Sequence, residues 1–201
     1  MTRWYSEKKR EHYYKQAKKN GYRARSAFKL LQIQKKFKII NKDDIVIDLG
    51  AAPGGWSQVA KKIVGKNGTV IGIDISPIKP INDINFIKAD LTKKSTIEKL
   101  QEILENKKVD VILSDMAPDI SGNYTVDHAK SIYLCEQALK VSEKILKKNG
   151  SFVCKVFDGE DLQNLIDKFK TRFITVKQFS PKASRKSSSE VYIISKLRQS
   201  S

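Results

Sequence analysis

The sequence predicts an α/β fold: a seven-stranded, mostly parallel sheet with its last strand antiparallel and helices on both faces. Three observations predict it. Short apolar runs at about 45–49, 69–73, 85–88, 109–114, 151–157, 172–178 and 190–195 alternate with longer stretches of helical periodicity, as in chains whose strands are joined by crossover helices. The runs Ile45-Val-Ile-Asp-Leu49 and Val109-Asp-Val-Ile-Leu113 are apolar at most positions, as expected of strands covered on both sides. The link 179–189 is too short and too polar to hold a crossover helix, so the last two strands are expected to pair antiparallel. With 201 residues, 40% of them hydrophobic, the chain can bury one sizeable core, and it has no stretch long enough to span a membrane. A single domain 1–201 is expected, made of a basic helical extension, 1–42, and a core, 43–201.

The elements follow in order. A first helix is expected over 6–20, ending at Gly21, and a second over 25–37 with Phe28, Leu30 and Leu31 as its apolar stripe. The strand 45–49 then breaks at Gly50 into the turn Gly50-Ala-Ala-Pro-Gly-Gly-Trp56, which leads into a helix over 54–64. Glycines let backbone approach a ligand closely, and open α/β sheets bind ligands in the crevice beyond the carboxyl ends of their strands. The next strand ends at Asp74, where a carboxylate can accept hydrogen bonds from ribose hydroxyls. The turn lacks the G-x-G-x-x-G spacing of dinucleotide sites, Pro53 offers no backbone donor to a pyrophosphate, and no G-K-[ST] follows. An adenosine-like ligand without phosphates remains; the local alternative is a plain strand-to-helix turn with Pro53 at the first helical position. Further helices are expected over 95–105, 129–147 and 160–170, with Asn149-Gly150 closing the longest.

Three polar residues sit awkwardly in such a sheet. Asp115 ends an apolar strand before Met-Ala-Pro118 and should point into the same crevice as Gly50 and Asp74. Lys155 interrupts the apolar run Ser151–Phe157, where an unpaired ammonium would be costly. Glu190 opens the last strand. Each also has a structural reading: a loop cap for Asp115, a stem reaching solvent for Lys155, an edge charge for Glu190.

The net charge of +17 is unevenly placed. Residues 1–42 carry a net +12 and residues 177–201 a net +5, which leaves the centre neutral. A neutral core with basic ends suggests a polyanion lying over one face, nucleic acid being the obvious candidate; a solvated lysine-rich surface is the alternative. Cys135 and Cys154 form neither a disulfide framework nor a C-x-x-C motif, which fits a reducing compartment. His12 and His128 are isolated and read as surface or packing residues, so no metal site is inferred.

These residues carry a family resemblance. The runs Gly21-Tyr-Arg-Ala-Arg-Ser-Ala-Phe-Lys29, Asp48-Leu-Gly-Ala-Ala-Pro-Gly-Gly-Trp-Ser-Gln58, Ser114-Asp-Met-Ala-Pro118, Phe152-Val-Cys-Lys-Val-Phe157 and Ser184-Arg-Lys-Ser-Ser-Ser-Glu-Val-Tyr192 resemble, in order and over nearly the whole chain, those of the FtsJ family of S-adenosylmethionine-dependent ribose 2′-O-methyltransferases. The resemblance implies a Rossmann-like methyltransferase fold and a catalytic set of Lys29, Asp115, Lys155 and Glu190. It implies cofactor contacts at Gly54, Trp56, Asp74, Asp90 and Asp115, beside the Gly50 turn. A ribose hydroxyl is a poor nucleophile until a base takes its proton, and Lys155 is expected to be that base, serving only in its neutral form. Asp115 is expected to orient Lys155 and the methyl group, with Lys29 and Glu190 positioning the ribose.

Lys29 and Glu190 both adjoin basic stretches, so the charged ends of the chain are expected to converge on the reaction centre. Trp4, Tyr5, Tyr13, Tyr14 and Tyr22 are candidates to stack on bases. Within the family the chain most resembles the branch that methylates a uridine of large-subunit ribosomal RNA, the partner being that RNA or the assembled large subunit. Tyr13–Arg25 and Ala117–Asp119 also resemble the branch acting on the tRNA anticodon loop. A catalytically silent RNA-binding assembly factor stays open as a reading of another class. No secretory signal is evident, so the chain is expected to be cytoplasmic, with a mitochondrial pool left open, and to be a monomer.

Overall fold

A computed structural model describes residues 13–184 and 189–199. Trp4, Tyr5, His12, the first half of the helix expected over 6–20, and the Arg-Lys-Ser-Ser stretch 185–188 lie outside the described residues. Residues 13–19 are helical (α1), followed by α2 (Ala27–Phe37), β1 (Ile45–Leu49), α3 (Gly55–Val64), β2 (Thr69–Asp74) and β3 (Asn85–Lys88). The chain continues through α4 (Lys94–Ile103), β4 (Val109–Ser114), α5 (Tyr124–Ile145), β5 (Leu146–Phe157), α6 (Leu162–Lys170), β6 (Phe173–Phe179) and β7 (Glu190–Arg198). The strands form one seven-stranded sheet in the order β3-β2-β1-β4-β5-β7-β6. Six strands run in one direction, and β7 inserts antiparallel between β5 and β6, as the short 179–189 link requires. Among the described residues no helix is long and apolar enough to cross a membrane.

Side chains alternate across the sheet, so each strand feeds two cores. On one face Ile47, Ile71, Ile112 and Phe152 pack under α4, α5 and α6. On the other, Val46, Val111, Val153 and Ile194 pack under α2 and α3. Helix α2 meets this second face through Ala27, Leu30 and Ile33, all fully buried. Part of the stripe expected from sequence serves a second contact: Phe28 turns towards α1 and Ala183, and Leu31 packs on both clusters, because α2 is covered on a second side by the chain that precedes it.

The longest helix departs from expectation at both ends. It starts earlier, where Asn123 Oδ1 accepts from Val126 N and Asp127 accepts from Ser121 and Gly122, closing the turn before it. It also stops at Ile145 without reaching Asn149-Gly150. Leu146 is fully buried and pairs with Val109, whereas Val111 pairs with Ser151, so 147–150 bulge out of β5. Asn149 takes φ +63° in that bulge, and a Cβ on Gly150 would lie 2.7 Å from Leu146 and 3.0 Å from Asp110 O. The Asn-Gly pair is a β-bulge, not a helix cap.

Under α6 the rings of Phe152, Phe169 and Phe173 stack within 5.4–6.2 Å of one another, all essentially unexposed. Phe152→Ala empties the centre of that cluster and is expected to cost about 3–5 kcal/mol, measured by urea unfolding. A loss below about 1 kcal/mol would show that the cluster collapses freely around the missing ring.

Candidate functional site

The strand ends and α2 bring four charged side chains together on the α2–α3 face. Lys155 and Tyr192 are directly opposed in the β5–β7 pair, and Phe157 opposes Glu190, so period-two alternation puts Val153, Lys155, Tyr192 and Glu190 on the same side. Asp115 continues the Val111, Leu113 row of β4 onto that side. Lys29 descends onto it from α2.

Two ion pairs result, each joining a buried lysine to a half-buried carboxylate. Lys29 Nζ lies 2.7 Å from Glu190 Oε2, with Lys29 only 7% exposed in its side chain. Lys155 Nζ lies 3.1 Å from Asp115 Oδ1 and donates to the Asp115 carbonyl at 2.6 Å, with its side chain 6% exposed. Tyr192 joins the two: its hydroxyl donates to Asp115 Oδ1 at 2.7 Å, and its ring lies 5.6 Å from Lys29 Nζ. Burial, reinforced by the Asp115 and Glu190 carboxylates, pushes the Tyr192 hydroxyl well above its ordinary range, so it remains a donor. Trp56 backs the tyrosine, stacking at 5.7 Å and donating from Nε1 to Ser26 O at 2.9 Å.

Sequence reasoning passed over Tyr192. The signal was available, since a residue two beyond Glu190 on a strand must share its face.

Beside this cluster a crevice of about 490 Å³ opens at the carboxyl ends of β1, β2 and β4, lined by Gly50, Asp74, Asp90, Asp115 and Met116 among others. That is within the size range of small-molecule sites. Gly50 (φ +73°) must be glycine, for a Cβ there would meet Met116 Cγ at 2.6 Å. Asp74 holds the turn as well as facing the crevice: Oδ2 accepts from Ala52 N and Oδ1 from Ser76 N, each at 2.8 Å. One oxygen of Asp90 accepts from the Thr92 amide and hydroxyl, which holds this carboxyl below its usual range. A nucleoside with ribose hydroxyls and a positive charge suits this set: carboxylates at Asp74 and Asp90 to accept, Asp115 to face the charge, apolar Ile73, Ile75 and Leu91 as walls. Gly54 and Trp56 do not line this cavity. Gly54 closes against Ile81 and Arg23, and the indole of Trp56 is committed to Tyr192 and Ser26. The Ala52–Pro53 bond is cis and α3 begins at Gly55, so Pro53 is not the first helical residue.

Asp48, beneath the turn, is fully buried; Oδ2 accepts from Ser57 Oγ at 2.5 Å and Oδ1 has no hydrogen-bond partner. Burial, helped by the Asp115 and Asp74 charges, raises its carboxyl to about 7 against the lowering effect of Ser57.

Several of the aromatics offered to RNA are used internally. Tyr13 and Tyr22 both pack on Phe28, and Lys62 caps the Tyr22 ring at 4.2 Å. Tyr14 stays 64% exposed, next to the exposed Lys18 and Lys19. His128 packs, with Nδ1 3.0 Å from Phe157 O and Nε2 accepting from Asp161 N.

A profile for FtsJ-like methyltransferases matches residues 22–198. A "Ribosomal RNA large subunit methyltransferase E" of Methanocaldococcus jannaschii is 48% identical over 96% of this chain and 81% of its own. One from Francisella tularensis subsp. novicida is 45% identical over 96% of this chain and 93% of its own. The crystal structure of a putative ribosomal RNA methyltransferase from Plasmodium falciparum superposes with a TM-score of 0.79 at 32% identity, covering 89% of this chain and all of that one.

The Asp48 carboxyl makes stability depend on pH. Folded, it keeps its proton up to about pH 7; unfolded, it loses it near pH 4. Folding therefore takes up a proton between those values, and the contribution of this group to stability falls as pH rises through that window, then levels off. Asp48→Asn cannot ionise, so its stability relative to the parent should improve by on the order of 4 kcal/mol from pH 4 to pH 8 in urea titrations. A difference that does not change with pH would mean that Asp48 is ionised in the folded chain throughout.

Proposed function

The chain belongs to the FtsJ-like methyltransferase family, and we propose that it transfers a methyl group from S-adenosylmethionine to the ribose 2′-hydroxyl of a uridine in large-subunit ribosomal RNA. The observation that carries the reading is two ion pairs that each sink a lysine into the protein, Lys29–Glu190 and Lys155–Asp115, bridged by Tyr192 at the rim of a nucleoside-sized crevice. Buried ion pairs rarely repay their desolvation in stability. Four such groups converging on one face are explained by chemistry better than by folding, and an RNA-binding module without activity has no use for them.

Bound in the crevice, S-adenosylmethionine would supply a methyl group on a sulfonium, a good leaving group for in-line displacement. Asp74 and Asp90 would receive ribose hydroxyls of the cofactor, and Asp115 would sit opposite its positive charge. Lys155, aimed by the carbonyl and carboxylate of Asp115, would first give up its own proton to solvent, favoured by the positive charge of the bound cofactor, and then as the neutral amine take the proton of the substrate 2′-hydroxyl as the oxygen attacks. The methyl group would pass from the sulfonium to that oxygen, with the electron pair of the carbon–sulfur bond remaining on sulfur. Lys29, fixed by Glu190, donates to the substrate ribose and holds it at attack distance. The basic segment 1–42 and the 177–201 end carry the RNA backbone over this face.

Lys155→Ala should leave cofactor and RNA binding in place while single-turnover methylation of an unmodified large-subunit rRNA transcript drops by roughly 10²–10⁴-fold. Lys155→Arg should not restore it, since guanidinium keeps its proton. Near-parental turnover in Lys155→Ala would mean that positioning alone carries the reaction. Mapping the product nucleotide, with tRNA as a parallel substrate, tests the RNA assignment.

The RNA platform has its own test. Replacing exposed Lys18 and Lys19 with Ala should flatten the fall of log affinity with log salt by about two charges' worth, roughly 1.5 in slope, with cofactor affinity unchanged. A parental slope would place the RNA elsewhere.

A further inference from the structure

Arg23 lies in the turn between α1 and α2, at the seam where the basic N-terminal segment meets the cofactor crevice. By charge alone it belongs with the RNA-binding lysines, yet its guanidinium faces the protein. Nη1 donates to the carbonyl of Lys79 and, at 3.4 Å, to that of Pro53; Nη2 donates to Pro80 O at 2.5 Å. Its amide donates to Gln58 Oε1 at 2.8 Å, and Gln58 Nε2 reaches back to Gly21 O at 2.9 Å.

The three carbonyls come from two walls of the cofactor site. Pro53 belongs to the turn that begins at Gly50. Lys79 and Pro80 belong to the segment after β2, whose first residues, Ile75 and Ser76, line the crevice. The same segment touches the turn directly, since a Cβ on Gly54 would meet Ile81 Cδ1 at 2.7 Å. On its other side Arg23 is continuous with α1, which bears the exposed Tyr14, Lys18 and Lys19, and with α2, which delivers Lys29. A planar fork spanning several carbonyls is a geometry that arginine provides and a lysine ammonium does not.

We propose that Arg23 is a positioning residue that couples the two binding events, fixing the cofactor walls to the RNA-bearing segment so that cofactor in the crevice tightens RNA binding. This rests on the RNA methyltransferase reading above. Reciprocity then requires RNA to tighten cofactor binding by the same factor. Arg23 acts by holding backbone and contacts neither phosphate nor the transferred methyl.

The test measures affinity for an unmethylated large-subunit rRNA transcript with and without saturating S-adenosylhomocysteine, which binds without turnover. Calorimetric titration of S-adenosylhomocysteine with and without RNA gives the reciprocal factor. The parent should show coupling of about fivefold or more. In Arg23→Ala and Arg23→Lys the factor should fall close to one, while RNA affinity without cofactor and its salt slope stay near the parent's. A parental factor in these variants overturns the inference. So does a parent with no coupling, or an Arg23→Ala variant that loses RNA affinity equally in both states with a flatter salt slope, the mark of a phosphate contact. Thermal unfolding is followed throughout. If the Arg23 variants do not fold, Gln58→Ala carries the test, for it removes the bonds that seat the Arg23 backbone and should lower the factor; full parental coupling there refutes the inference. A parent that binds cofactor but no RNA fails differently, by removing the functional reading itself.

Discussion

The Lys155–Asp115 pair is the constraint on which the rest of the site depends. An ammonium as deeply buried as that of Lys155 costs several kcal/mol to desolvate, and the attraction of the half-buried Asp115 carboxylate offsets this only when remaining hydrogen-bonding capacity is also met. Here it is met in two ways. Lys155 Nζ also donates to the Asp115 carbonyl, and Asp115 Oδ1 also accepts from Tyr192. Tyr192 is in turn held flat by Trp56, and Trp56 is tied to Ser26 just before α2. A chain of specific contacts thus runs from the buried pair to the first turn of the helix that carries Lys29.

Topology explains why these groups share one place. β7 enters between β5 and β6 and runs against them, so the start of β7 lies beside the end of β5. A parallel strand there would have put Glu190 at the opposite end of the sheet from Lys155. Its antiparallel course places Glu190 and Tyr192 at the carboxyl ends of the parallel strands, where the glycine turn and the crevice also lie. The single reversal in the sheet is thereby a functional feature.

Most of this architecture was legible in the sequence because it is written in periods of two and in strong punctuation. Apolar runs located all seven strands to within a few residues at most ends, and the misplaced polarity of Asp115 and Lys155 marked the site. The bulge at 147–150 was not legible: Asn-Gly stops helices and kinks strands equally well, and only the burial of Leu146 against Val109 decides between them. The two-sided burial of α2 was hidden for a related reason, as a helix packed against both sheet and helix shows no single stripe. Net charge counts side chains without knowing which carbonyls they face, so the contacts of Arg23 with Lys79, Pro80 and Pro53 were not legible either. Resemblance named the four charged residues; the Tyr192 hydroxyl on Asp115 and its ring beside Lys29, which link the two pairs, come from geometry alone.

Helix α2 makes folding and chemistry interdependent. Without it the sheet would still hold Asp115, Lys155, Tyr192 and Glu190, but Glu190 would lose the ammonium that Lys29 brings to it. Docking of α2 is driven by Ala27, Leu30 and Ile33, and burying Leu30 and Ile33 is worth about 1.5–3 kcal/mol each. Against that stands the desolvation of Lys29, several kcal/mol before pairing. The gain from these two side chains is of the same order as the penalty, so the reception of the ammonium by Glu190 and the Tyr192 ring favours the docked position of α2. The side chain that would hold the substrate ribose is therefore also the one whose burial must be compensated for the helix to dock. Loss of Glu190 would be felt through the position of α2 as much as through the lost carboxylate.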